Sequence, residues 1–506
     1  MKKMTLSGVS FLGMLLFTSI GFINHALAQE SADELVVIQS QEPVGLDPTV
    51  HREGPTYAVT INIYDSLLRK TRNGENAPGL AKSFERDSDS SWVFNLREGV
   101  KFHNGEPLTS EAVKFTIERI LDPELDSTRA SDFKWMEKAE IIDDLTVRLV
   151  ANKPFALAEH YFTELQIVSP NILKELGDLT FNEEPVGTGP YKFVKWDRGN
   201  EIVLERNQNH WTSPEVERVK FRFISSAASR VATLLGGGAD LITDPPITAR
   251  GQIENSSKNA RFVTATGTRV VFVGLDSVQE SPLQNVLVRQ AMNYAVDKEA
   301  ILTNLLSGTG EQTTTNLTSK DFGFNPDEKP YPYDPDKARG LLAQAGYSDG
   351  FEIKMDMVNG RFINDTNVAQ AIAGFLNDVG IKVNLNVLEF GAFNGAIFSK
   401  KSSPMYFASW GNPVFDPSYF FDFITRTGGL LRTIEDPEID VLLNGANSTT
   451  DQDVRRKLYH QVIPLINEAA PTIFLYKQPV IYGMSERLDW EARSDEFLLM
   501  SDAKLK

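Results

Sequence analysis

No cysteine occurs anywhere in this chain, and that absence constrains the fold more than any other single feature. It rules out a disulfide frame, a thiolate metal site and a thiol nucleophile. Burial, hydrogen bonding and charge must therefore stabilise all 506 residues. The start of the chain makes this notable, because it reads as an export signal. Met1-Lys2-Lys3 is cationic, an apolar run follows from Val9 to Ile23, and Ala26-Leu27-Ala28 supplies the small residues that a signal peptidase accepts. The run is short for a membrane span, which needs about 20 apolar residues, and Thr18 and Ser19 interrupt it. Cleavage after Ala28 is expected.

The 478 residues beyond Ala28 exceed one typical hydrophobic core, so two or more domains are expected. No later segment has the length and apolarity of a membrane-spanning helix. Loss of Lys2 and Lys3 takes the formal charge from −17 to −19. That balance suits solubility and argues against nucleic acid as a partner.

Helical and strand patterns alternate along the chain, which predicts an α/β fold. Leu35–Ile38 reads as a first strand. Thr109 or Ser110 can cap a helix with Val113, Ile117 and Leu121 on one face. Asp334-Pro335 starts another, a capping acid followed by proline at the first helical position, and Gly346 stops it. A third runs from about Asp365 to Gly380. Ile381, Val383, Leu385 and Val387 then alternate with polar residues as a half-buried strand. Pro- and Gly-rich joints near Asn73–Pro78, Pro185–Pro190, Pro245–Pro246 and Asn325–Pro335 are all short.

Three segments are more specific. The first is Trp92–Leu108, with Phe102-His103-Asn104-Gly105. The second is Pro185-Val-Gly187-Thr188-Gly189-Pro190-Tyr191 together with His210-Trp211. The third is Val288-Arg289-Gln290-Ala291 through Tyr294-Ala295-Val-Asp297. Physically, Asn104-Gly105 is a tight-turn pair and Gly187–Pro190 a second turn. Neither is a phosphate loop. In order and content these blocks, with Tyr333-Asp334-Pro335 and Val379-Gly380-Ile381, resemble the peptide/nickel-type extracytoplasmic solute-binding proteins, bacterial family 5, which includes dipeptide- and oligopeptide-binding proteins of ABC importers.

The resemblance implies a two-lobed periplasmic binding fold with an extra domain in the first lobe and the ligand in the interlobe cleft. Lobe I is expected from 29–71, 187–278 and 479–506, its extra domain from 72–186, and lobe II from 279–478. The implied function is capture of a peptide or peptide-like small molecule by lobe closure, a hinge motion, and delivery to permease subunits in the inner membrane. The absence of a cysteine to lipidate points to free diffusion in a Gram-negative periplasm. A monomer without a cofactor is expected.

Four segments should face the ligand: His51–Tyr57, Gly267–Arg269, Asn359–Arg361 and Tyr406–Pro417. Arg361 is the candidate anion anchor, since a guanidinium fork matches a peptide carboxylate; a surface arginine paired with Asp365 is the competing reading. Trp410 and Phe415 are candidate apolar walls. Tyr406, Asp416, His51, Tyr57, Thr268 and Arg269 complete the set. Dipeptide-binding relatives hold the free ammonium with an acid shortly after this tryptophan, where this chain has Pro413. That departure favours a longer or modified peptide, or another amphiphile.

Other classes remain as alternatives: a metal–chelator complex, an opine, an oligosaccharide, or a secreted hydrolase. His51, His103, His160, His210 and His460 include no close pair on one helix face, so no metal site is expected. No GxSxG or HExxH motif occurs, and no catalytic residue is assigned.

Overall fold

Two long strands, Ala260–Leu275 and Thr472–Ser485, organise the molecule. They run antiparallel and pair along nearly their whole lengths, with the register broken between Thr266 and Val270. On one side of the break they continue into the short strand Leu241–Thr243, then Glu34–Gln39, Arg218–Phe223, Glu201–Arg206 and Tyr191–Asp197. On the other side Ala260–Leu275 pairs with Met405–Trp410, which leads to Phe351–Val358 and Ile381–Leu388. The result is one 11-stranded mixed sheet that serves two lobes. In this computed structural model the described residues are 33–506, except Asn73, Asp126, 257–259, 318–320, Gly360, Pro413, Leu430 and Arg432. The export segment and Pro413 therefore lie outside the described residues.

Local sequence logic holds where it is strongest. Asp334 accepts a hydrogen bond from the Lys337 backbone N–H at 2.9 Å and caps the helix Pro335–Gln344. Gly346 follows with φ +88°. The helix Asp365–Asn377 buries Val368, Ile372 and Leu376, each worth about 1.5–3 kcal/mol of apolar transfer. Gly380, at φ +97°, turns the chain into the strand Ile381–Leu388. That strand shows its polar face because it lies at the sheet edge. Thr109 occupies the cap position of the helix Ser110–Leu121, but its side chain makes no capping bond; Ser110 instead donates to the Asp143 carbonyl at 2.6 Å.

A separate antiparallel sheet of four strands lies within residues 81–151. It shares a continuous core with the first lobe through Trp92, Phe94, Phe162 and Leu165. Lobe II carries a core on each face of its sheet. Among the described residues no helix is long and apolar enough to cross a membrane.

Candidate functional site

The break in the long strands is where the two arginines of the expected site come together. Gly267 lies there because a Cβ would sit 2.6 Å from the Gln478 carbonyl oxygen. Arg269 follows, its Nη1 donating to Ser409 Oγ at 3.3 Å. Arg361 approaches from the loop before the helix Asp365–Asn377. Its backbone N–H, not its guanidinium, is held by the Asp365 carboxylate at 2.7 Å. The guanidinium lies over the Phe390 ring, 5.1 Å from its centroid. Burial lowers the Arg361 pKa, and the neighbouring charge of Arg269 lowers it further.

Two carboxylates complete the group. Asp244 follows the strand Leu241–Thr243, and Glu496 lies in the C-terminal segment. Each is within the electrostatic reach of both arginines. None of these four side chains forms an ion pair with another of them. Both acids are solvent-exposed, yet desolvation raises the pKa of each. Solvent access together with desolvation is what a wall of a narrow, wet cleft experiences. Both also have left-handed backbone, with φ of 50° and 65°, a conformation that costs a non-glycine residue about 1–3 kcal/mol and that clusters at functional sites.

Aromatic surfaces flank the charges. Tyr57 packs on Phe497 with centroids 4.9 Å apart. Phe415, at φ +54°, lies against Gly74 of the first lobe, and the Lys70 ammonium is 5.9 Å from its ring centroid. Burial lowers the Lys70 pKa to about 8. Trp410 packs on Phe423, and its buried indole N–H has no hydrogen-bond partner among the described residues. Asn412 is fully buried, and neither of its amide atoms is bonded among the described residues. Glu164, within electrostatic reach of Tyr57, is half-buried. Its burial opposes ionisation, but the His160 hydrogen bond and the nearby charges of His160, Arg129 and Arg52 outweigh that and hold its pKa down at about 2.

The other expected residues separate. His51 is half-buried and 4.0 Å from Glu53, and among the described residues it makes no contact with the arginines. Thr268 is buried, and its carbonyl accepts from Asn412 N–H at 3.2 Å. Two expectations need correction. Tyr406 is 1% exposed and donates to the Leu431 carbonyl; it packs over Gly274 as core. Asp416 is a structural anchor, not a ligand group. Arg455 grips it with two bonds of 2.7 and 2.9 Å, and Ser418 N–H and Oγ take up Oδ1. Asp244 and Glu496 were missed. Their sequence neighbourhoods, Thr-Asp-Pro-Pro and Asp-Glu-Phe, read as ordinary turns.

A two-lobed fold with unpaired charges and aromatic walls at the lobe junction has the anatomy of a solute trap. Residues 75–430 match the bacterial extracellular solute-binding proteins, family 5. The chain belongs to that family. Heme-binding protein A of Haemophilus influenzae is 29% identical over 477 residues, spanning 88% of this chain and 87% of that protein. Glutathione-binding protein GsiB of Pectobacterium atrosepticum is 26% identical over 478 residues, 90% of this chain and 91% of that one. The solved structure of HbpA2 from Haemophilus parasuis superposes with a TM-score of 0.83 at 25% identity, covering 94% of this chain and all of that one. As a family 5 member, this protein is a substrate-binding component, and its fold is the two-lobed one expected. Among the described residues no group of three or more His, Asp or Glu could hold a metal ion.

Proposed function

We propose that this family 5 protein captures a zwitterionic, peptide-like solute in its interlobe cleft and delivers it to an ABC permease, without chemical turnover. The observation that carries this reading is the set of four charges at the lobe junction, Arg269 and Arg361 against Asp244 and Glu496, held within one another's field but unpaired. Guanidinia suit carboxylates, and the opposing acids suit an ammonium. Glutathione, named for one relative, is a tripeptide with two carboxylates and one ammonium, so its charge pattern complements this set. Tyr57, Trp410 and Phe415 supply apolar walls, with His51 and Thr268 at the margin. Closure is driven by the ligand's greater affinity for the closed form.

The proposed division is lobe I from 29–71, 187–278 and 479–506, with the extra domain at 72–186 and lobe II at 279–478. The proposed location is the periplasm, after cleavage beyond Ala28. Mass spectrometry of solute released from gently purified protein tests the ligand class. Calorimetry with glutathione, unmodified tripeptides and hemin follows. Stoichiometric binding of a zwitterionic peptide, with the peptide recovered intact, is the expected result. Binding of hemin alone, or hydrolysis of the peptide, overturns the reading.

A further inference from the structure

The first two sequence blocks that carry the family resemblance meet each other, and their junction is stitched by one imidazole. The His103 backbone N–H donates to the Gly187 carbonyl at 2.8 Å. Its Nδ1 accepts from Gly187 N–H at 3.3 Å, and its Nε2 lies 3.0 Å from the Gly189 carbonyl. The ring is therefore neutral with the proton on Nε2, and desolvation lowers its pKa to about 4. Gly187 and Gly189 have no room for a Cβ, because each passes tightly over the Ile63 carbonyl.

This junction roofs a cavity of about 680 Å³, within the range of small-molecule sites, roughly 300–1,000 Å³. Its ionised lining is Lys82, Arg97, Lys101 and Lys192 against the single acid Glu98. Lys82 takes Glu98 at 3.3 Å. Among the described residues three cations are left with no carboxylate. Arg97 spends only Nε, on the Gly79 carbonyl, and its guanidinium lies over Trp211, 5.4 Å from the ring centroid. Its terminal amino groups make no bond among the described residues. Such a concentration of positive charge runs against the protein's net charge of −17. Like charges gathered around a concave wall repel one another and focus the field on the space between them. A multivalent counter-ion relieves that repulsion.

We infer that the cavity between the 97–105 turn and the 187–192 and 207–211 segments is a second binding site, specific for a small multivalent oxyanion and separate from the interlobe cleft. Arg97, with its free amino groups fixed over Trp211, is the directional donor, and Lys101 and Lys192 supply charge.

Isothermal titration of the mature protein at low ionic strength tests this with two probes, inorganic pyrophosphate and citrate. One equivalent of at least one probe should bind, more weakly as salt is raised. Preference between the probes tells whether phosphate or carboxylate chemistry is favoured. The Lys101→Gln/Lys192→Gln variant changes two solvent-reached side chains and should lose at least tenfold in affinity, while Arg361→Ala, in the cleft, should bind as wild type. Absence of binding by both probes overturns the inference. So does undiminished binding in the double-lysine variant, or loss of binding in Arg361→Ala, which would move the anion to the cleft.

Discussion

Asp416 and Arg455 meet face to face in a closed buried pair, whereas Arg269 and Arg361 stand off from Asp244 and Glu496 at the lobe junction. The chemical groups are the same and the arrangements opposite. In the first, two parallel bonds of 2.7 and 2.9 Å join a guanidinium with 1% exposed side chain to a carboxylate with 9%, and Ser418 satisfies much of what remains. In the second, no bond forms and desolvation raises the pKa of both acids. A pair that has closed on itself has nothing left for a ligand. Charges held apart store unfavourable energy, which a ligand of complementary charge releases. Proximity of acid and base in sequence or space is thus a poor guide to function until one asks whether their hydrogen-bonding capacity is already used.

The contrast can be broken from either end. Arg455→Ala strands a buried carboxylate and should cost about 3–5 kcal/mol of stability, read by urea unfolding. A loss under 1 kcal/mol would mean that the closed pair is not structural. Arg361→Ala should leave stability nearly unchanged and weaken a carboxylate ligand by about 2–5 kcal/mol, measured by calorimetry. Unaltered affinity would remove Arg361 from the site.

His103 supplies a third case, an ionisable ring kept neutral by its bonds. Its folded pKa of about 4 lies below the ordinary histidine value of 6.5. The unfolded chain therefore binds more protons between these values. The contribution is complete above pH 6.5 and is lost as pH falls towards 4, amounting to roughly 3 kcal/mol at full loss. His103→Gln should flatten that part of the stability–pH profile; an unchanged slope would assign it to other groups.

The smallest effect has the opposite sign to the first. Folding raises the Asp244 pKa, so its ionised form is disfavoured in the folded state. Stability from this group is present below the unfolded carboxylate pKa and declines as pH rises above it through the raised folded value. At neutral pH, Asp244→Asn should raise the melting temperature of the ligand-free protein slightly while weakening a cationic ligand group. A lower melting temperature would place Asp244 with Asp416, among the structural acids.

Much of this was legible beforehand for physical reasons. Asp334-Pro335 and Gly380 determine local backbone, and local backbone is written in neighbouring residues. Arg361 and Arg269 were readable as cleft cations through the resemblance. Asp416 was misread because the residue that neutralises it, Arg455, lies on a helix 39 positions later. Tyr406 was misread because both faces of its strand pack as core, Met405 and Phe407 on one and Tyr406 and Ala408 on the other. Asp244 and Glu496 were invisible because their distinction is a positive φ imposed by the surrounding fold. Glutamate carries no local preference for that conformation.

The two long strands pass unbroken between the lobes. They are bonded to each other on both sides of the register break, so neither can slip along the other without tearing a ladder. What remains free is torsion about the few residues around Gly267 and Gln478. The ribbon therefore behaves as a torsion bar: the lobes can change their angle but not their offset. A bulkier solute would be registered as degrees of opening, with every wall residue keeping its partner across the gap. The transporter facing this protein would then read occupancy as a single mechanical variable.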